Sequence, residues 1–485
     1  MNDSNFANIN AECAVKIFEI IKSSCERDNP ANQGDLIKYA DLIRFGTTHE
    51  WIRVQLFYWN KDLYKKLGID EFNSPDLTID FEVIYEGLQG ATYKAKEEYF
   101  KMVINDINEN TELENVSIKY TSDIYNTEVM EFFDDIMRAL KSKTSLKFLG
   151  IDMKKYTLQD VPRLHSLEVL DLDIKIDADE LVKVCENNPN LVKLCVGCNE
   201  MLGKLSDIVG LNGNNLQFLT SLHFTMKFDA TEYKNLANLP LLQTLIMRGK
   251  HEKGSLKHLF SGLAGKETCP LSLLFLWDTQ LNDEEIRLVS QIETLTELSC
   301  GFIEPESIRH LSKLTKLTFI NIKSKYEDCK EKVPKMLSEI WKFFKTMRPY
   351  AITIRFQEVD IEYVKSENQL SWIAYDDALS ECFDPYTSYS KLPYVEVLSV
   401  LNNRQRIKTI FNLVMAYAIK CPRRLKRLQL LRNNKFPQIE NELTPKQVAA
   451  LVSIACHREI DSSSIDMTYR ENQILKYDVL SIDLL

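Results

Sequence analysis

The sequence predicts an α/β solenoid, a curved parallel sheet of stacked repeats with helices on its convex side, preceded by a small all-α module. Three observations predict it. A spacing of apolar-x-x-apolar-x-apolar recurs through the middle of the chain; stretches of helical periodicity alternate with it; and the first seventy residues carry helical periodicity without it.

The repeat is clearest in "SLEVLDLDI", where Leu167, Leu170 and Leu172 set the spacing. Its equivalents begin with Leu113, Val116, Ile118 and Leu146, Leu149, Ile151, and continue with Leu191, Leu194, Val196 and Leu219, Leu222, Phe224. Leu242, Leu245, Met247 and Leu271, Leu274, Leu276 follow, then Leu295, Leu298, Cys300 and Leu314, Leu317, Phe319. From Leu146 to Leu314 the steps are 21, 24, 28, 23, 29, 24 and 19 residues. Weaker units stand at Val395, Leu398, Val400 and Leu425, Leu428, Leu430, and fainter traces at Ile352 with Ile354 and at Ile474 with Val479. The last two apolar positions of each unit are two apart, so they share one face of a short strand. The first belongs to the turn leading into it. One such unit cannot bury its own apolar face, and stacking supplies the cover. Asn199, Asn403 and Asn433 occupy the turn position where an Asn side chain satisfies backbone groups; the other units lack it.

Between strands the period becomes helical. "DADELVKVCENNPN" puts Leu181, Val184 and Cys185 on one face, and "NDEEIRLVSQI" groups Ile286, Val289 and Ile292 behind Asp283 and Glu284, which suit the positive end of a helix. "EPESIRHLSKL" repeats the arrangement with Ile308, Leu311 and Leu314. At the front, "NINAECAVKIFEIIKSSC" reads as an amphipathic helix with Ile17, Phe18, Ile20 and Ile21 on its apolar side. Residues 34–60 read as two more short helices rich in aromatics. Three helices of that size bury little surface alone, so a partner or the repeats should cover them. The organisation expected is 1–75 for the helical module and 76–485 for the repeats, clearest over 140–322.

Composition narrows the function. The net charge is −10, against a binder of duplex nucleic acid, whose surface is normally basic. "MNDSNFANIN" has no basic or apolar region of the kind a secretory signal needs, no apolar run reaches eighteen residues, and the eleven cysteines stand singly. A cytoplasmic or nuclear chain with reduced thiols, no membrane span and no nucleic-acid partner is the expectation. No Gly-rich phosphate loop, His-Glu-x-x-His or Gly-x-Ser-x-Gly occurs, so neither a cofactor nor an enzymatic activity is expected. The single Cys195-x-x-Cys198 has no second pair to complete a zinc site, and "RRLKR" at 423–427 overlaps a repeat leucine, so it reads as a strand flanked by surface charge.

Residues between the apolar positions of a strand face away from the core. They are Asp171, Asp173, His223, Thr225, Ile246, Arg248, Phe275, Trp277, Ser299 and Thr318. Of these, His223, Arg248, Phe275 and Trp277 are the candidate partner-binding residues. Two outward aromatics beside an arginine are typical interface anchors. The alternative is that the segment 323–394, which lacks good repeats, folds back over them.

These repeats resemble the leucine-rich-repeat family, especially its long-helix intracellular forms. The front of the chain resembles an F-box. Where that motif has Leu-Pro-x-Glu and then Ile-Phe, this chain has Ile9-Asn10-Ala11-Glu12 and Ile17-Phe18; Asp35-Leu36, Leu42, Arg44-Phe45 and Trp51 follow in the motif's order. Asn10 replaces the motif's proline, Leu42-Ile43 replaces its Val-Cys pair, and "CERDNPANQ" lengthens the first loop. Together the two resemblances imply an F-box/leucine-rich-repeat protein. Such a chain is the substrate receptor of a cullin-RING ubiquitin ligase, binding a Skp-type adaptor of the cullin complex through the F-box and a protein substrate on the concave face of the repeats. Carried over residue by residue, Ile9, Glu12, Ile17 and Phe18 would touch the adaptor, with Leu36 and Leu42 in support. Without adaptor binding, the chain would be a leucine-rich-repeat interaction scaffold whose helices merely cap the repeats.

Overall fold

In a computed structural model, residues 11–28, 34–46, 50–68, 74–158, 164–197, 204–225, 228–249, 251–323, 329–347, 352–356, 361–372, 395–401, 427–432, 470–472 and 477–483 are described, with four isolated positions between 446 and 453. The chain divides into two compact units, the first of residues 1–228 with 238–241 and the second of 229–237 with 242–485.

The first unit opens with helices α1 (Ala11–Asp28), α2 (Asp35–Lys38), α3 (Ala40–Gly46), α4 (Glu50–Trp59) and α5 (Lys61–Lys66). Strands β1 (Asp76–Asp80), β2 (Asn115–Lys119), β3 (Phe148–Leu158), β4 (Val169–Ile176), β5 (Lys193–Val196) and β6 (Ser221–Phe224) follow. Helices α6 (Phe81–Gly87), α7 (Tyr93–Glu109), α8 (Thr127–Leu140), α9 (Ala178–Asn187) and α10 (Leu205–Val209) lie between them. Each strand pairs in parallel with the next, and the register aligns the repeat positions. Leu77 sits opposite Val116, Val116 opposite Leu149, Leu149 opposite Leu170, Leu170 opposite Leu194 and Leu194 opposite Leu222. The residues two further on are in register beside them, and all are buried. The leucine pattern is thus a seam, with β1 as a strand ahead of the series read from Leu113.

The second unit contains β7 (Thr244–Arg248), β8 (Leu273–Leu281), β9 (Glu297–Phe302), β10 (Phe319–Ile322) and β11 (Thr353–Phe356), parallel in that order. Helices α11 (Lys257–Ala264), α12 (Asp283–Val289) and α13 (Cys329–Thr346) connect them, with a 3-10 turn over 305–313. The sheet then departs from the repeat. β12 (Ile361–Val364) runs antiparallel to β11, and β13 (Gln369–Trp372) antiparallel to β12. β14 (Val397–Leu401) and β15 (Arg427–Arg432) resume parallel pairing from β13. The remaining strands are β16 (Arg470–Asn472) and β17 (Tyr477–Asp483); β17 pairs antiparallel with both β15 and β16. The stretch 323–394 therefore contributes α13, a repeat strand and a hairpin built into the sheet.

One predicted register is corrected. Ile320 pairs with Leu298 and Ile322 with Cys300, so the last clear repeat is Leu317, Ile320, Ile322 rather than Leu314, Leu317, Phe319. Both triplets satisfy the same spacing because Leu317 belongs to each. Two competing apolar faces of one segment were resolved by the pairing with β9. Leu314 is buried all the same, at the end of the preceding 3-10 turn, and the step from Leu295 becomes 22 residues. Thr318 consequently lies in the turn, where its hydroxyl donates to the carbonyl of Thr296 (3.2 Å), and Asn321 takes the outward position beside Ser299.

Hydroxyls beside the first leucine knit successive turns together. The carbonyl after that leucine accepts the two following amides of the next repeat; Ser272 O receives Thr296 N and Glu297 N at 2.8 and 3.1 Å. Thr220, Ser272, Thr296 and Thr318 add a side-chain donor to the same carbonyls, at Val192, Gln243, Ser272 and Thr296. Ser145, Ser166 and Thr294, one residue before the leucine, donate to the carbonyls of Leu113, Leu146 and Leu271. The Asn residues predicted for that service, Asn199, Asn403 and Asn433, lie outside the described residues. Asn188 performs a related one: fully buried, it donates to Leu164 O and Val184 O (2.7 and 2.9 Å) and accepts from Leu167 N (2.9 Å).

The helices bury the faces expected of them. Leu181, Val184 and Cys185 are interior on α9, and Ile286, Val289 and Ile292 on and just after α12. Ile308 and Leu311 are also interior, on the 3-10 turn rather than an α-helix. The start of α12 is a full capping box. Asn282 Oδ1 accepts from Glu285 N, and Glu285 Oε2 accepts from Asn282 N, at 2.9 and 3.0 Å. Glu285 is buried, and its Oε1 accepts from Leu256 N (3.1 Å) at the start of α11. Burial pushes its carboxyl upward against these backbone donors.

Two outcomes follow. Asn188→Ala leaves Leu164 O and Leu167 N without their buried partner, while Val184 O keeps the backbone N–H of residue 188, and should lower stability by about 2–3 kcal/mol in chemical denaturation. Glu285→Gln presents an amide NH2 to a backbone N–H and should cost about 1–3 kcal/mol by the same measurement.

Candidate functional site

The outward face of the first unit is acidic. Ser117, Gly150, Asp171, Cys195 and His223 form one cross-strand row, and Lys119, Asp152 and Asp173 the next. Burial raises the Asp171 carboxyl despite Lys193 nearby, and burial with the charge of Asp173 raises Asp152. Asp173 is held by Lys154 at 3.3 Å. Among the described residues, no group of three or more His, Cys, Asp or Glu has the arrangement of a metal site. Cys185 is enclosed and its thiol is pushed up to about 12 by burial, and burial drives Cys300 higher still, so neither is a nucleophile.

The second unit brings together Arg248, Phe275 and Trp277. His223, predicted with them, belongs to the first unit. Arg248 and Trp277 are cross-strand partners on β7 and β8, and the Arg248 guanidinium lies 4.9 Å from the indole centroid. Lys323, just past β10, places its ammonium 3.3 Å from the same centroid. Phe275 and Trp277 are half-buried, one residue apart on the outward face. Trp277 is positioned by a bulge. Asp278 adopts φ +63, the register of β8 against β9 breaks between Phe275 and Gln280, and the Thr279 hydroxyl donates to Gly249 O (3.0 Å). Asp tolerates that left-handed backbone better than a bulkier residue would.

A row two residues back runs Ile246, Phe275, Ser299, Asn321, Arg355 across β7 to β11. Asn321 donates to Ser299 Oγ at 3.2 Å. Further along this face, Gln369 donates to Ser399 Oγ (2.8 Å), and Ser399 donates to Gln429 Oε1 (2.7 Å). Lys323, Arg355 and Asn321 were not foreseen. The shifted triplet at 314–319 hid Asn321 and Lys323, and its overlapping partner at 317–322 was the signal that could have found them; Arg355 stood beside only the faint trace of Ile352 and Ile354.

In the helical module, Phe18 is interior, its ring 5.9 Å from Phe45 and 5.4 Å from Trp59, centroid to centroid. Leu42 is interior too. Leu36 lies in the seam between α2 and α6, where a Cβ on Gly87 would come within 2.7 Å of it. Gly34 N donates to Gln89 O (2.9 Å) along that seam, where a cavity of about 440 Å³ is lined by Asp35, Lys66, Asp80, Glu86 and Tyr99 among others. Glu12 is exposed and Ile17 half-buried; Ile9 lies outside the described residues. The apolar side chains open to solvent are Ile20 (69% exposed) on α1, with Tyr58 (77%) and Val54 one turn apart on α4. Among the described residues, no helix is long and apolar enough to cross a membrane.

No family model matches the chain, and no curated protein matches it. Among solved structures, an internalin from Listeria monocytogenes is similar to it at 17% identity and a TM-score of 0.31. The similarity covers 46% of this chain and 58% of the internalin, so the chain spans little more than half of that protein's length. The leucine-rich-repeat architecture rests on the strand register and the buried seam described above.

Proposed function

We propose that the chain is a protein-binding subunit that presents the outward strand face of its second unit to a partner, and that it does so as a substrate receptor of a cullin-RING ubiquitin ligase. The observation that carries the first part is the grouping of Arg248, Phe275 and Trp277, two half-buried outward aromatics with Arg248 and Lys323 over the Trp277 ring. A rigid strand face with aromatic and arginine anchors is suited to a protein surface, whereas no clustered nucleophile and base occurs among the described residues. The receptor holds its substrate and raises the local concentration of its lysines near the conjugating enzyme.

The adaptor-binding part draws its support from the order of motif residues and from the solvent-facing apolar side chains of α1 and α4, two helices that pack together. Phe18, Leu36 and Leu42 act as supports from the interior, so contact falls to Glu12, Ile17, Ile20 and Tyr58. An interaction scaffold without a ligase is the reading that stands if the adaptor does not bind.

The choice of variant follows from burial. Phe18→Asp would unfold the module, so it says nothing of docking. Ile20→Asp changes an exposed side chain. It should leave the melting curve within about 0.5 kcal/mol of the parent and abolish co-purification with a Skp-type adaptor. A parent chain that never retains adaptor removes the ligase reading. Phe275→Ala with Trp277→Ala should lose the protein cargo recovered by affinity capture and mass spectrometry while keeping the adaptor; cargo retained at parental levels removes this face as the binding surface.

A further inference from the structure

The outward face of the second unit gathers three cations, Arg248, Lys323 and Arg355, against two carboxylates, Asp278 and Glu362, the latter the cross-strand partner of Arg355. Arg248, Lys323 and Arg355 are close enough that the two arginines depress the Lys323 ammonium, after burial, which is the larger cause. Asp278 acts on Lys323, and Glu362, itself raised by burial, is felt by Arg355. Among the described residues, none of the three cations forms an ion pair with either carboxylate or with any other. Lys323 instead rests on an indole ring.

Two polar atoms on this face also lack partners. Trp277 Nε1 is an unsatisfied donor and Asn321 Oδ1 an unsatisfied acceptor, and Asn321 is only 8% exposed. Asn321 stands between Ser299 and Arg355 in its cross-strand row, two residues before Lys323. Groups of that kind are normally paired. A peptide backbone carries both complements: a carbonyl for the indole N–H and an amide for the Asn oxygen.

We propose that this face binds a short acidic peptide segment of the protein partner. Arg248, Lys323 and Arg355 hold its carboxylates, and Trp277 and Asn321 pair with its backbone. The inference rests on the protein-binding reading above and names the chemistry of the partner. On binding, the Lys323 ammonium leaves the indole for a carboxylate, which uncovers the ring and its N–H. A short acidic segment suits the site better than a nucleic acid. The chain's charge of −10 repels a long polyanion, whereas eight or so residues of peptide meet only the local positive field.

The test uses the full chain and fluorescence anisotropy with fluorescein-labelled octaglutamate, octalysine and octathymidylate at low and physiological ionic strength. Octaglutamate should bind saturably and weaken with salt, whereas charge reversal on this face should not weaken octalysine, which the chain's net charge of −10 attracts. Arg248→Glu, Lys323→Glu and Arg355→Glu should each weaken octaglutamate about tenfold with unchanged circular-dichroism melting. Lys323→Arg should retain binding. Trp277→Phe, which keeps a ring and removes the N–H, should weaken it. Failure of the parent chain to bind octaglutamate overturns the proposal. So does a triple charge-reversed chain that binds as tightly as the parent, or octathymidylate binding equally well through the same residues. A chain that loses its cargo with Phe275→Ala and Trp277→Ala, yet ignores octaglutamate, keeps the receptor reading and loses this one.

Discussion

Each repeat strand from β1 to β11 has an apolar side that it cannot bury alone, and its neighbours in the sheet continue that side in register. That constraint decides the rest. Leu170 lies between Leu149 and Leu194, and Leu298 between Leu274 and Ile320, because a one-residue slip would turn a row of leucines to water. Truncating one such buried leucine typically costs about 2–5 kcal/mol. The seam also explains why the connecting segments can vary between α-helix, 3-10 turn and loop. They need only supply a second apolar layer, as Leu181 and Val184 do on α9 and Ile308 and Leu311 do on the 3-10 turn.

Hydrogen bonding makes the seam repeat. A carbonyl that accepts two amides from the next turn leaves little freedom in how the next strand begins, and the hydroxyls of Ser272, Thr296 and Thr318 reinforce it without lengthening the turn. Where that hydroxyl is missing, other devices serve. Asn188 bridges α9 to the turn before β4, and Glu285 joins the starts of α11 and α12. These buried polar groups are costly unless fully paired, and the pairing ties helix position to strand register.

The repeat was legible because its period is set by the covalent geometry of strand and turn. Eight of the nine triplets read from Leu113 to Phe319 coincide with buried strand positions. The ninth slipped because Leu317 satisfies two overlapping patterns, and only pairing with β9 distinguishes them. The hairpin of β12 and β13 gave no leucine signal, since Tyr363 and Leu370 fill the seam from antiparallel strands. In the helical module the pattern placed α1, read two helices over 34–60 where α2, α3 and α4 form, and misjudged a face of α1. Ile20 was grouped with Phe18 on one apolar side, yet two residues along a helix lie about 200° apart, so with Phe18 turned inward Ile20 faces solvent. Of the candidate binding residues, Arg248, Phe275 and Trp277 could be read from alternation alone. Lys323 and Asn321 could not, because each depends on the register of β10, and Arg355 stood beside only the faint trace of Ile352 and Ile354.

The outward face inherits its precision from the inward one. Arg248 reaches the Trp277 ring because β7 and β8 are locked by Leu245 against Leu274 and Met247 against Leu276. Lys323 reaches the same ring because β10 is locked by Ile320 and Ile322 against Leu298 and Cys300. The bulge at Asp278 is the one place where β8 leaves the repeat, and it falls between Trp277 and the next core residue, Leu281. It can be tolerated there because Leu276 before it and Leu281 after it both remain buried, and the Thr279 hydroxyl pairs with the Gly249 carbonyl. A rigid seam therefore allows one irregular strand end to be held in a fixed direction. Outward residues on the regular strands can only form rows, whereas the residues around the bulge gather side chains from β7, β8 and the end of β10 over a single indole. Convergence of that kind is what a binding surface needs and what an unbroken repeat does not provide.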